Sequence, residues 1–197
     1  MSAVMSLCNK SIVLDAGKIL FSGNVHEGVS RYLNSSKAPL PLKDRIDRKG
    51  NGLLQLTSVK ICNSEDTSRG IVSGCDLTIE LTIHNPTGRS FGNTEIALGV
   101  NNAFEDRVTL ISNKLSGKRI TIEKDATILI HIKKLPLAAG SYSITTFISG
   151  DGILCDWIQN AFELEVTADL FFPETGNTLP KEQGFFYLDF NYEVPAV

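Results

Sequence analysis

The sequence predicts an all-β protein built as an antiparallel β-sandwich, on three observations. From residue 53 onward apolar side chains alternate with polar ones, as in Leu77, Ile79, Leu81 and Ile83. The alternating segments are short and recur about every 8–15 residues, with Gly, Pro, Asn and Asp between them. The same region carries no amphipathic helical pattern. Two sheets that cover each other's apolar faces are therefore the expected arrangement.

A different pattern occupies residues 1–35. Two short apolar runs, at 11–15 and 18–21, are joined by Asp15-Ala16-Gly17, which predicts a β-hairpin. A short helix is expected next, because Asn24 and Glu27 form a capping-box pattern. Its apolar stripe is supplied by Val25, Val29, Tyr32 and Leu33. Residues 36–52 carry Pro39, Pro41 and five basic against two acidic side chains, which indicates an exposed linker.

Residues 53–197 are predicted to form the sandwich itself. Strands are expected at about 53–62, 77–84, 95–101, 106–112, 118–123, 127–132, 141–149, 153–158, 160–167 and 185–192. Gly140-Ser141-Tyr142 at the start of one of them resembles a tyrosine corner, in which a phenol hydroxyl ties a strand to a preceding turn. We therefore assign Tyr142 a structural role.

Composition and charge exclude several classes of protein. The 197 residues carry 19 Lys and Arg against 22 Asp and Glu, a net charge of −3, which argues against nucleic-acid binding. No run of about 18 apolar residues is present to span a membrane. The chain begins without a signal-peptide pattern, so we expect the four cysteines to be reduced thiols in the cytoplasm, with a Cys62–Cys75 disulfide as the alternative. Neither cysteines nor histidines are spaced as zinc ligands, and no metal site is predicted.

Catalytic motifs are missing from the sequence. It has no G-x-S-x-G, H-E-x-x-H, G-x-G-x-x-G or G-x-x-x-x-G-K-[ST] pattern. His84 and His131 fall on outward strand positions, where solvated side chains are expected. Asp151 and Asp156 lie near one tight connection, and we interpret them as a turn residue and a surface residue in preference to a glycosidase-like pair. The sequence therefore predicts a protein that is not an enzyme.

One predicted surface has the composition of a binding site. If strands 93–101 and 141–149 are neighbours in one sheet, small and polar side chains flank an outward aromatic ring, Phe147. Such a shallow trough suits a sugar, which offers an apolar face to an aromatic ring and hydroxyls to polar side chains. The alternatives are that Phe147 packs under a loop and that Trp157 belongs to the core. The candidate carbohydrate contacts are Asn101, Arg107, Thr145, Phe147 and Trp157.

The order of several motifs carries a family resemblance. The N-terminal segments Leu7-Cys8-Asn9-Lys10, Ile12 to Ile19 and Tyr32-Leu33 look like the end of an ABC-transporter ATP-binding domain. The rest of the chain resembles the C-terminal domain of O-antigen polysaccharide export ATPases of the Wzt type. The motifs that carry this second likeness are Leu56-Thr57-Ser58-Val59, Val72-Ser73-Gly74, Leu135-Pro136-Leu137, Leu154 to Val166, Asp169-Leu170-Phe171-Phe172 and Gly184-Phe185-Phe186. Two motifs depart from the family pattern. Asp169-Leu170-Phe171-Phe172-Pro173 stands where aspartate-phenylalanine-phenylalanine-glycine is common, and Phe190-Asn191-Tyr192 stands where the last strand often ends in His-x-Trp.

The resemblance implies an immunoglobulin-like antiparallel β-sandwich, preceded by the hairpin and helix. Residues 1–35 would be the remnant of an ATPase domain, residues 36–52 a linker and residues 53–197 a carbohydrate-binding domain. It implies a non-catalytic module that recognises the modified non-reducing end of lipid-linked O-antigen polysaccharide before export. The alternative is a structural dimerisation domain with no glycan site.

The resemblance also implies the partners. They are the O-antigen polysaccharide, the transporter's transmembrane subunit through the ATPase domain, and a second copy, with which the C-terminal strand can be exchanged; no nucleic acid is expected. The location is the cytoplasmic side of the bacterial inner membrane. This chain needs no cofactor, because the phosphate loop that would hold ATP and Mg²⁺ belongs to the parent ATPase domain. We therefore expect the chain to be a fragment of a longer subunit.

Overall fold

The fold is given by a computed structural model that describes residues 4, 7–15, 17–25, 27, 28, 32, 41–63, 70–167, 171–177, 179, 184–190, 192 and 193. Almost all regular structure in these residues is β. The strands are β1 (Lys10–Asp15), β2 (Lys18–Asn24), β3 (Gln55–Asn63), β4 (Leu77–His84), β5 (Thr94–Asn101), β6 (Arg107–Ser112), β7 (Ala126–Ile132), β8 (Gly140–Gly150) and β9 (Ile153–Val166), with one 3-10 turn at Leu42–Asp44.

The strands form three sheets. Strands β1 and β2 make an antiparallel hairpin, β3-β4-β7 form a three-stranded sheet, and β6-β5-β8-β9 form a four-stranded sheet. Strand β4 shows why the sequence takes this form, since its four aliphatic residues, Leu77 to Ile83, are all buried and the polar residues between them are not. The predicted antiparallel β-sandwich is confirmed.

The chain divides into two compact units. The first comprises Met1–Val59, Leu81–Ile128 and Ser141–Leu164, and the second comprises Lys60–Glu80, Leu129–Gly140 and Glu165–Val197. In the first unit the core is aliphatic and comes from both larger sheets. Its most buried members include Leu54, Leu56, Leu81, Ile83, Leu98, Ile144, Ile148 and Ile158.

In the second unit the C-terminal aromatic residues pack together. Phe171 and Tyr187 stack with their ring centroids 4.8 Å apart, and Phe172 meets both edge-on. Leu137 pairs with Phe186 in a single antiparallel bridge. The strand predicted at 185–192 is therefore reduced to one bridge within residues 184–190.

Two other strand predictions need adjustment. The strand expected at 118–123 is a single bridge between Phe91 and Ile122. The strands expected at 153–158 and 160–167 are one long strand, β9, because Asn160 adopts a φ of 47° without ending the pairing. Asn tolerates this left-handed conformation better than most residues, which is why the strand passes through it.

The predicted hairpin is present, and Asp15 pairs with Lys18 across its turn. Gly17 takes a φ of 78° there, a value that favours glycine. In the helix expected next, Val25, Glu27, Gly28 and Tyr32 are helical, while Val29 and Leu33 lie outside the described residues. No helix in the described parts of the chain is long and apolar enough to cross a membrane.

A buried ion pair joins the predicted linker to β9. Arg48 donates from Nε to Asp156 Oδ1 at 3.0 Å and from Nη2 to Asp156 Oδ2 at 2.8 Å. The backbone N–H of Leu56 donates to the same carboxylate at 2.9 Å. The expectation that Asp156 is a surface residue is therefore wrong, since its side chain is 3% exposed. A local pattern cannot reveal a partner that lies 108 residues away.

Candidate functional site

The candidate surface is the side of the four-stranded sheet that carries Ala97, Gly99 and Asn101 of β5 together with their partners on β8. We call it the β5–β8 face. Ala97 lies opposite Phe147, Gly99 opposite Thr145 and Asn101 opposite Ser143. Because side chains alternate along a strand, these three pairs point to the same side of the sheet. The predicted trough requires β5 and β8 to be neighbours in one sheet, and they are.

Three of the predicted contact residues meet at one end of this face. Arg107 Nε donates to Asn101 Oδ1 at 2.7 Å. Asn101 Nδ2 lies 3.4 Å from Thr145 Oγ1 and 3.5 Å from Ser143 Oγ. Asn101 and Thr145 are buried, whereas Arg107 is exposed. The network fixes the orientation of the Asn101 amide and leaves the guanidinium at the surface.

The guanidinium of Arg107 lies directly over Gly99. A Cβ atom at Gly99 would overlap Arg107 Nη1 and Cζ, so this placement requires the absence of a side chain. Only Nε is used in a hydrogen bond, and the Nη groups have no partner within the described residues. Four N–H donors therefore remain available to oxygen atoms of a ligand.

An apolar strip adjoins these polar groups. Leu110 of β6 lies opposite Gly99 and is 45% exposed, and Phe147 is half-buried beside Ala97. Leu110 was not among the residues predicted from sequence. Its outward position follows from the β5–β6 register, which alternation in β6 alone does not define.

Trp157 has a different neighbour from the other four candidates. Its ring is half-buried under the ammonium group of Lys49, whose Nζ lies 4.6 Å from the ring centroid. The backbones of the two residues also pair, with Trp157 N–H donating to the Lys49 carbonyl at 2.7 Å. No hydrogen bond or ring contact joins Trp157 to Asn101, Arg107, Thr145 or Phe147 among the described residues.

The titratable residues considered for catalysis have structural partners. His84 Nδ1 lies 2.9 Å from Asp125 Oδ1, and both side chains are exposed. The backbone N–H of Asn85, with His84 beside it, lowers the pKa of Asp125. Asp151 takes a φ of 50° in the β8–β9 turn and accepts a hydrogen bond from the Asn93 backbone at 3.1 Å, as expected of a turn residue.

The remaining chemistry of the described residues is limited. All four cysteines are free thiols, and burial raises the pKa of Cys155. No group of three His, Cys, Asp or Glu side chains within the described ranges is placed to hold a metal ion. Tyr142, predicted to be structural, is buried. The groups gathered on the β5–β8 face are hydrogen-bond donors, acceptors and apolar surface, which suit binding.

Comparison with known proteins places the chain in a family. The family model described as "Wzt C-terminal domain" matches residues 45–188. The solved "Crystal structure of the C-terminal domain of wzt" aligns with a TM-score of 0.60 at 12% identity, covering 77% of this chain and 90% of that chain, which shows a shared fold.

Two further comparisons do not bear on the family or the function of this chain. A β-glucuronidase of glycoside hydrolase family 2 aligns at a TM-score of 0.39 and 15% identity, covering 64% of this chain and 12% of that chain. No match was found among the curated proteins. The match over residues 45–188, most of the chain, carries the conclusion: the chain belongs to the Wzt C-terminal domain family.

Proposed function

We propose that this domain is a non-catalytic module that binds the modified non-reducing end of lipid-linked O-antigen polysaccharide. It would act within the ATP-binding subunit of an ABC transporter at the cytoplasmic side of the inner membrane. Membership of the Wzt C-terminal domain family supports the setting. The binding surface is the β5–β8 face with its extension onto β6.

The observation that carries the proposal is the pairing of unused donors with apolar surface. The Nη groups of Arg107 have no partner among the described residues, and Leu110 and Phe147 lie on the same face. A pyranose ring presents the complementary groups, hydroxyl oxygens at its rim and C–H groups on its flat side. Because the surface is open to water, we expect modest affinity for a single sugar unit.

The N-terminal segment suits attachment to another domain. Ile12, Leu14 and Ile19 of the hairpin are each more than 60% exposed. Leu14 and Ile19 are paired across the hairpin, and contiguous exposed apolar side chains mark an interaction surface. We propose that residues 1–35 complete the ATPase domain, that residues 36–52 lead into the sandwich and that residues 53–197 bind the glycan.

The test is a titration of the 197-residue chain with O-polysaccharide purified from its own organism, with and without the terminal modification. Calorimetry should show binding to the modified polymer and much weaker binding to the unmodified one. Phe147→Ala should abolish binding while the melting temperature changes by only a few degrees. Leu129→Ala, which truncates an exposed apolar residue of β7, is the matched control and should bind normally. Equal binding of Phe147→Ala and the unaltered chain would remove this face from the site.

A second candidate function, dimerisation without glycan binding, is favoured by the C-terminal aromatics. Phe190 and Tyr192 are 58% and 85% exposed, with ring centroids 5.6 Å apart. A second copy could cover them, with or without exchange of the C-terminal segment. Sedimentation of the unaltered chain and of Phe190→Ser measures this role. A stable dimer that binds neither form of the polysaccharide would favour the structural function over the first proposal.

A further inference from the structure

A cleft of about 270 Å³ lies at the start of β5, at the end of the β5–β8 face that is remote from Asn101. Its wall is formed by β5, the end of β8 and the loop that follows β6. The lining residues include Glu95, Ser149, Lys114, Lys118 and Arg119. Three cationic residues and one acidic residue thus line the cleft, so its lining carries a net positive charge within a chain that is acidic overall.

The cleft is continuous with the face that bears Phe147. Glu95 lies opposite Ser149 in the same register that pairs Ala97 with Phe147 and Asn101 with Ser143. Glu95 and Asn101 are six residues apart, which corresponds to about 20 Å along an extended strand. A ligand chain that follows the strands from Arg107 past Phe147 would arrive at the cleft.

Two of the three cations have no counter-charge in the described parts of the chain. Lys114 Nζ lies 3.8 Å from Glu95 Oε2. Lys118 and Arg119 form no ion pair and no side-chain hydrogen bond with any residue that the structure describes. The Ser149 hydroxyl, on a buried residue that lines the cleft, likewise has no partner there. These groups are the donors that an oxyanion requires.

The loop that carries the cations is held in place by Asn113. Its Nδ2 donates to the carbonyls of Thr94 at 3.0 Å and Lys118 at 2.9 Å, and its Oδ1 accepts from the Ile96 backbone at 2.7 Å. With both ends of its amide engaged, Asn113 ties the loop to β5. The backbone at Lys118 is therefore positioned before any ligand arrives, which lowers the entropic cost of binding.

We propose that this cleft binds an oxyanionic group, a carboxylate or a phosphate, carried by a saccharide that extends along the β5–β8 face. Lys118 and Arg119 neutralise the charge and Ser149 donates to one oxygen. The saccharide part rests on the proposed function, whereas the oxyanion part rests on the cleft alone. The inference adds a charged subsite about 20 Å from Asn101 and restricts the glycan to an acidic one.

The experiment follows backbone amide shifts of the ¹⁵N-labelled full chain during titration with glucuronate, glucose 6-phosphate, glucose and inorganic phosphate. Glucuronate or glucose 6-phosphate should give saturable shifts at Gly117, Lys118 and Ser149, and whichever acid binds tighter identifies the anion. Glucose should give none. The double variant Lys118→Gln/Arg119→Gln should weaken binding about tenfold, since each exposed charge contact contributes only a few-fold. The control Lys43→Gln/Lys124→Gln removes the same charge away from the cleft and should bind normally.

The inference is overturned if neither sugar acid gives saturable shifts, or if the Lys118→Gln/Arg119→Gln variant binds as the unaltered chain does. Inorganic phosphate that binds as tightly as glucose 6-phosphate would refute the saccharide part. The two proposals fail separately. A chain that binds glucuronate but no polysaccharide contradicts the proposed function and retains the oxyanion site. Polysaccharide binding that is unaffected in the double variant contradicts the cleft.

Discussion

Removing the guanidinium of Arg48 should destabilise the sandwich severely. The substitution Arg48→Met keeps the aliphatic stem and removes only the charged group. It leaves the Asp156 carboxylate, which is 3% exposed, with a single described donor, the backbone N–H of Leu56. A buried charge that loses its partner costs about 3–5 kcal/mol of stability.

That loss is large enough for simple thermal unfolding. For a domain of 150–250 residues, 1 kcal/mol corresponds to about 2–4 °C in melting temperature, so Arg48→Met should lower it by about 6–20 °C. Circular dichroism at neutral pH measures the change. The double variant Arg48→Met/Asp156→Leu should recover most of it, because replacing both partners by apolar groups leaves no buried charge.

A second ion pair supplies the matched control. Arg45 Nε contacts Asp47 Oδ1 at 2.6 Å, but the Asp47 side chain is 56% exposed. Breaking it with Asp47→Asn should cost less than about 1 kcal/mol, because water solvates Asp47 and the Arg45 guanidinium keeps its hydrogen bonds to the carbonyls of Gln159 and Asn160. If Arg48→Met lowers the melting temperature no more than Asp47→Asn does, the reasoning from burial is refuted.

Two further outcomes are expected. Gly99→Ala should displace the Arg107 guanidinium and reduce polysaccharide affinity to that of Arg107→Ala. The free energy of unfolding should change by less than about 1 kcal/mol, because the gain from alanine over glycine in a strand offsets the lost Arg107–Asn101 hydrogen bond. Calorimetry and thermal unfolding would check this, and Gly99→Ala binding at the unaltered level would contradict the Arg107 placement. In the folded chain at about pH 8, exposed Cys8 should react with iodoacetamide and Cys155 should not, because burial disfavours the Cys155 thiolate and raises its pKa; in urea both should react. Because the folded pKa is the higher one, the stability gained from keeping the Cys155 thiol neutral is present below its unfolded pKa and is lost as the pH rises through the folded value. Equal alkylation of the two thiols in the folded chain would show that Cys155 is accessible.

Most strands were predictable because the signal for a half-buried strand is local. In β4 the alternation of aliphatic and polar residues alone determines which side chains are buried. The predictions were less accurate where pairing, and not composition, defines the element. Residues 118–123 and 185–190 have strand-like composition, but within the described residues each contributes only one bridge. The break predicted between residues 158 and 160 is absent, because Asn160 accommodates a left-handed φ of 47° within the single strand β9.

The candidate site was predicted in part for the same reason. Alternation placed Asn101, Thr145 and Phe147 on one face, once β5 and β8 were assumed to be neighbours. Arg107 joins them through a register shift between Val100 and Asn101, which turns its side chain back toward the Asn101 amide. No local pattern encodes such a shift.

The sequence by itself determined the β architecture, the order of the motifs shared with the Wzt C-terminal domains and the polar character of one face. Only the tertiary structure decided that Asp156 is buried against Arg48, that Trp157 lies under Lys49 and that a basic cleft continues the face beyond Phe147. The physical reason is range. Periodicity indicates which face of its own strand each residue occupies. Ion pairs, ring contacts and clefts depend instead on how distant segments pack together, as in the Arg48–Asp156 pair, whose members are 108 residues apart.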